Sequence, residues 1–122
     1  MNLRVLLVED NPVNVMIESK FLNKWKVSVD VAINGQEAID KVNTNTYDLI
    51  LMDLRMPIMD GYEASQKLRE MGLTIPIIAV TASGITNVGD QIYDSGMNDY
   101  IKKPFDPKEM YAKLKKYLSP IA

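Results

Sequence analysis

Neither cysteine nor histidine occurs among the 122 residues. Without cysteine there is no disulfide and no thiol chemistry, and the lack fits a reducing compartment. Without histidine there is no Ser-His-Asp triad, no histidine-ligated zinc and no histidine general base. An excess of positive charge is missing too: 14 basic against 16 acidic residues leave a net charge of −2. That balance argues against a general nucleic-acid-binding role. Apolar runs are no longer than a strand, so neither a signal peptide nor a membrane span is expected. Site chemistry is left to carboxylates, hydroxyls, lysine and a hard cation bound through oxygen.

What is present suits one ordinary domain over 1–122, with 47% apolar and 25% charged residues. The most informative stretch is the apolar run Leu49-Ile50-Leu51-Met52, closed by Asp53 and followed by Leu54-Arg55-Met56-Pro57. A carboxylate at the end of a buried strand is costly to charge unless something compensates it. The pattern recurs near the N-terminus, where Val5-Leu6-Leu7-Val8 runs into Glu9-Asp10. Carboxylates ~5 Å apart at an effective dielectric of ~20 repel by roughly 3 kcal/mol per pair, and a divalent cation is the simplest remedy.

Strands and helices alternate along the chain. Leu3 to Val8 reads as a buried strand, and Asn11-Pro12 supplies an N-cap and a first-turn proline. The helix that follows runs to about Trp25, with Val13, Ile17 and Phe21 spaced as an apolar stripe. Val27, Val29 and Val31 alternate with polar residues, as on an edge strand. Asn34 to Glu37 opens a helix with Ile39 and Val42 inward, and Asp60 caps a third carrying Leu68 and Met71. A buried strand within Ile75 to Ala82 ends at Thr81-Ala82. From Ser83 to Gly96 the glycines predict a mobile loop and a marginal helix, with Val88 and Ile92 as its apolar face. Tyr100-Ile101-Lys102 makes a short edge strand, and Asp106 opens a last helix with Met110, Leu114, Tyr117 and Leu118 inward. The lysines of that helix, Lys108, Lys113, Lys115 and Lys116, read as solvated. Five strands alternating with five helices imply an α/β, doubly wound parallel sheet with helices on both faces. Ligands in such sheets bind outside the carboxyl ends of the strands, where Glu9, Asp10, Asp53, Thr81 and Lys103 all fall.

Together, Glu9-Asp10-Asn11, Met52 to Pro57, Met59-Asp60-Gly61, Thr81-Ala82 and Lys103-Pro104-Phe105, each at a strand end, carry a resemblance. The chain resembles a response-regulator receiver domain over essentially its whole length. The run Glu9 to Asn14 is most similar to receivers attached to hybrid histidine kinases. The resemblance implies a flavodoxin-like five-stranded sheet in the order 2-1-3-4-5. It implies that Asp53 accepts a phosphoryl group as an acyl phosphate, with Thr81 and Lys103 binding the phosphoryl oxygens. Glu9, Asp10 and Asp53, with the backbone carbonyl of Arg55, would hold Mg²⁺, or Mn²⁺ in its place. Thr81 and Tyr100 would move on phosphorylation, Arg55 and Ser83 would tune the lifetime of the acyl phosphate, and the Lys103-Pro104 bond would be cis. A histidine kinase or histidine-phosphotransfer domain would be the partner, docking over the first helix and Pro104-Phe105.

Other readings weigh less. An aspartyl-nucleophile phosphatase usually needs a second aspartate two residues on, where this chain has Arg55. A flavin module needs a phosphate loop after the first strand, where Glu9-Asp10 would repel phosphate. A docking-only receiver usually lacks a site residue, and none is lost here. The expectation is therefore a cytoplasmic phosphoacceptor switch, either a stand-alone protein or the cytoplasmic part of a larger, membrane-bound hybrid kinase. This domain itself would contact neither nucleic acid nor membrane.

Overall fold

The computed structural model describes residues 3–82, 85–104 and 106–118, the side chains of 85–89 excepted. Five strands and five helices alternate: β1 Arg4–Val8, α1 Pro12–Lys24, β2 Ser28–Ala32, α2 Gly35–Thr44, β3 Leu49–Asp53, α3 Gly61–Glu70, β4 Ile77–Thr81, α4 Ile85–Asp94, β5 Asp99–Lys102 and α5 Pro107–Tyr117. The strands are all parallel in the order β2-β1-β3-β4-β5. The order reverses between β1 and β3, which opens a crevice at their carboxyl ends.

Strand alternation assigns the core. Ile50 and Met52 of β3, with Ile77 and Ala79 of β4, pack toward Ala38, Ala64, Leu68 and Ile92 on the α2–α3–α4 face. Leu49 and Leu51, with Ile78, Val80 and Ile101, pack toward Leu22, Met110 and Leu114 on the α1–α5 face. Asp53 stands two residues beyond Leu51 and Lys103 two beyond Ile101, so both continue the α1–α5 side.

The loops that end in helices are set by side-chain caps. The Asn11 side chain accepts from the N–H groups of Val13 and Asn14, Asn34 from Glu37, Asp60 from Glu63 and Asp106 from Lys108. Each cap satisfies an orphan donor and fixes where a rim loop turns into a helix. Between β3 and α3, Ile58 takes φ +72°, an uncommon conformation for a β-branched residue. There the Met59 N–H donates to the Pro57 carbonyl at 2.8 Å.

Gly61 opens α3 against the end of β3, its N–H donating to the Leu54 carbonyl at 3.1 Å. A Cβ there would meet the Asp53 carbonyl and the Leu54 Cα, which are backbone and cannot swing aside. Gly61→Ala is therefore expected to destabilise the fold by about 2–4 kcal/mol in urea unfolding. A wild-type melting curve would show that the loop yields freely.

Away from the site, the Arg69 guanidinium donates to the carbonyls of Gly96, Leu73 and Ile75 and to the Asn98 side chain, at 2.7–2.9 Å. It fastens the end of α3 to the turn between α4 and β5, where Gly96 has φ +92°.

Three expectations are corrected. Val13 and Ile17 of α1 are 58% and 39% exposed, and the buried residues of that helix are Glu18 and Leu22. The stripe has helical spacing but lies on the outer shoulder of α1, because the face that meets the sheet is centred one residue further on. Met71 follows α3 as its C-cap and is exposed, since the helix ends at Glu70. Lys113 is not simply solvated: its ammonium donates to Asp99 at 2.6 Å and to the Tyr100 carbonyl, and lies 4.7 Å from the Tyr100 ring centre. The helix expected within Ser83 to Gly96 is α4, ten residues long, with Ile92 of its expected apolar face fully buried. Ser83 and Gly84 lie outside the described residues, as does the side chain of Val88.

Candidate phosphoacceptor site

The carboxyl ends of β1, β3 and β4 and the segment after β5 surround a cavity of about 190 Å³. Glu9, Asp10, Asp53, Arg55, Thr81 and Lys103 all line it. Parallel register puts them there: Val8 pairs with Met52, Asp53 with Val80, and Thr81 with Lys102. Glu9 and Asp53 are buried, whereas Asp10 stands exposed at the lip. One carboxylate oxygen from each of the three lies within 4.8 Å of the others.

Lys103 is the cation set against them. Its ammonium donates to Glu9 Oε1 at 2.8 Å and lies 3.4 Å from Asp53 Oδ2. It thus pairs with both acids, and more closely with Glu9. The Lys103 N–H donates to the Thr81 carbonyl at 2.7 Å, and the Lys103-Pro104 peptide is cis. The Arg55 N–H donates to Asp53 Oδ1 at 3.2 Å, turning the loop after β3 over the carboxylate. Thr81 is buried at the rim, and Tyr100 is half-buried on β5.

The electrostatics are those of crowded acids. Burial pushes Asp53 up to about 7, helped by the hydrogen bond to Glu9 and by its charge, against Lys103 and the Arg55 N–H. Burial would also raise Glu9, but hydrogen bonds from a protonated Asp53 and from Lys103 outweigh it and hold Glu9 below its ordinary value. The two behave as a pair sharing one proton. Burial opposes charge on Lys103, but Glu9 and Asp53 raise its pKa above the ordinary value.

The donor set suits a hard divalent cation. All three candidate ligands are carboxylates, and Glu9 Oε2 is buried without a hydrogen-bond partner. A small ion with oxygen ligands would satisfy that orphan and relieve the repulsion.

Sequence reasoning missed Glu18. It is 2% exposed on α1, and one of its oxygens lacks a hydrogen-bond partner. Burial pushes its carboxyl up to about 7, with Glu9 adding to the shift. The signal was available: Asn14, Glu18 and Leu22 repeat every four residues from the capped start of α1. The more hydrophobic stripe one residue earlier drew attention instead.

A parallel α/β slab with an acidic, lysine-braced pocket at its switch point defines a class of oxygen-ligand, phosphoryl-handling domains. The model of the response regulator receiver domain matches residues 5–115, and this chain belongs to that family. It is a receiver domain of two-component signalling. Two-component response regulator 24 of Arabidopsis thaliana is 39% identical over 93% of this chain and 83% of its own. Histidine kinase 5 of the same plant is 32% identical over 94% of this chain, which spans only 16% of that relative's length. Among solved structures, the receiver domain of sensor histidine kinase PA1611 from Pseudomonas aeruginosa, with magnesium coordinated in its active-site cleft, superposes with a TM-score of 0.89. It is 36% identical, covering 98% of this chain and 99% of its own. The receiver domain of Ssk1 from Saccharomyces cerevisiae, crystallised with the histidine phosphotransfer protein Ypd1, gives 0.88 at 33% identity, over 95% and 88% of the two chains.

Proposed function

We propose that Asp53 is the phosphoacceptor and that Glu9, Asp10 and Asp53, with the Arg55 carbonyl, hold Mg²⁺. The observation that carries this is the gathering of three carboxylates within 4.8 Å against a single lysine ammonium. An Asp53 oxygen attacks the phosphorus of a phosphohistidine. The new O–P bond forms as the N–P bond breaks, and the imidazole nitrogen keeps the electron pair and takes a proton from solvent. Bound magnesium would neutralise charge on the nucleophile and on the transferring oxygens, and Mn²⁺ has the oxygen preference to replace it. Lys103 offers its ammonium to one phosphoryl oxygen and Thr81 its hydroxyl to another. These two contacts to phosphoryl oxygens exist only in the phosphorylated state, so a two-state equilibrium of the rim, reaching Tyr100, shifts toward it.

Loss of the phosphoryl group by water attack belongs to the same site, with Arg55 at its mouth tuning the rate. Ser83, the other tuning position, lies outside the described residues. The natural setting proposed is cytoplasmic, alone or within a larger kinase chain. Incubation with acetyl phosphate and Mg²⁺ should add one phosphoryl group by intact mass, and no gain by folded protein would refute the reading.

A histidine kinase or a histidine-phosphotransfer domain is the partner proposed. The exposed shoulder of α1 supports it, since Val13, Met16 and Ile17 present apolar surface next to the site and Pro104. Phe105, the other docking residue expected, lies outside the described residues. Met16→Glu should slow transfer from a phosphorylated histidine-phosphotransfer protein by about tenfold and leave the acetyl phosphate rate within about twofold. Equal slowing of both would place the defect in the chemistry rather than in docking.

A further inference from the structure

A cavity of about 170 Å³ lies behind the acidic site, between α1 and the Lys103-Pro104 segment. Asn14 and Lys103 line both spaces. Lys103 therefore has acids on two sides: Glu9 and Asp53 in front, and Glu18 across the second cavity. Among the described residues lining that cavity, Lys103 is the only cation. Glu18 is 2% exposed and its Oε1 has no hydrogen-bond partner. A buried acid on a helix that could pack an apolar side chain costs stability. The charged groups that act on it, Glu9, Lys103 and Asp53, all belong to the site.

We propose that Glu18 is a positioning residue for Lys103, a carboxylate behind the ammonium that draws it off Glu9 and Asp53 when a divalent cation enters. The inference rests on the reading of the acidic cluster as a Mg²⁺ site. Lys103 engages two of the three carboxylates that such an ion needs, Glu9 and Asp53, so its grip competes with the metal. The ion in turn repels the ammonium. A lysine on its flexible four-carbon stem can yield by turning toward the second cavity, where Glu18 supplies the negative charge that makes the turn favourable. Without Glu18 the ammonium keeps its hold on Glu9, and the metal binds less well.

The test is a double-mutant cycle read by calorimetric Mg²⁺ titration at pH 8, with wild type, Glu18→Gln, Lys103→Ala and the double variant. Glu18→Gln should weaken Mg²⁺ binding about fivefold when Lys103 is present and less than about twofold when it is alanine. Equal weakening in both backgrounds, or none in the first, overturns the proposal. Failure of the wild type itself to bind Mg²⁺ would instead sink the metal-site reading. The Glu18 carboxyl carbon offers a second measurement that needs no Glu18 variant. Its ¹³C resonance should move with Mg²⁺ in wild type and stay within the noise in Lys103→Ala. An unmoved resonance in wild type, or an equal shift in both, also overturns it.

Discussion

Asp53→Asn is expected to give a folded protein that takes no phosphoryl group from acetyl phosphate and Mg²⁺, a loss of at least about a thousandfold in rate. The amide keeps the shape of the carboxyl but cannot supply the attacking oxygen anion. Intact mass after incubation decides it, and a variant that still gains one phosphoryl group would move the acceptor elsewhere. The same change should stabilise the metal-free protein, and the sign follows from the crowding of acids. Unfolded, Asp53 loses its proton near 3.8; folded, it holds on until about 7. Between those values the folded state binds the extra proton, so stability falls as pH rises from about 4 to about 7 and levels off above. The drop is on the order of 4 kcal/mol. Asparagine removes it, so urea unfolding at pH 8 without Mg²⁺ should favour the variant, and the two proteins should converge near pH 4. A wild type that gained stability over that range would contradict the electrostatic account of the site.

Asp10→Asn is expected to weaken Mg²⁺ binding by about one to two orders of magnitude. Asp10 is the sharpest probe of the metal reading. Glu9 and Asp53 also engage Lys103, so their replacement disturbs an ion pair, whereas Asp10 stands at the exposed lip. Phosphorylation by acetyl phosphate should fall with the affinity and return when Mg²⁺ is raised, because the nucleophile is intact. A rate that stayed low at saturating Mg²⁺ would give Asp10 a part in the chemistry itself. Unchanged affinity would remove it from the ligand set.

Much of this was legible in the sequence because the informative residues obey local rules. An apolar run that ends in an acid marks a strand and its site end together, as Leu49 to Asp53 does. Asn11, Asn34, Asp60 and Asp106 mark helix starts because a capping side chain acts on its own neighbours. What stayed hidden depends on contacts distant in sequence. Spacing gives a helix its stripes but not the stripe that meets the sheet, so the Val13, Ile17 and Phe21 stripe does not mark the buried position of Glu18. The Lys113 tie to Asp99 joins two elements through the fold, so its lysine looked like its solvated neighbours.

The Arg69 clamp gives α4 an unequal pair of ends. Its C-terminal turn is stapled, through the Gly96 and Asn98 contacts, to the amino side of the slab. Its first turn follows the Thr81 rim, at the opposite edge. On the proposed switch, a push delivered at that rim would turn α4 about its Arg69 end, small there and growing along the helix, a rotation rather than a translation.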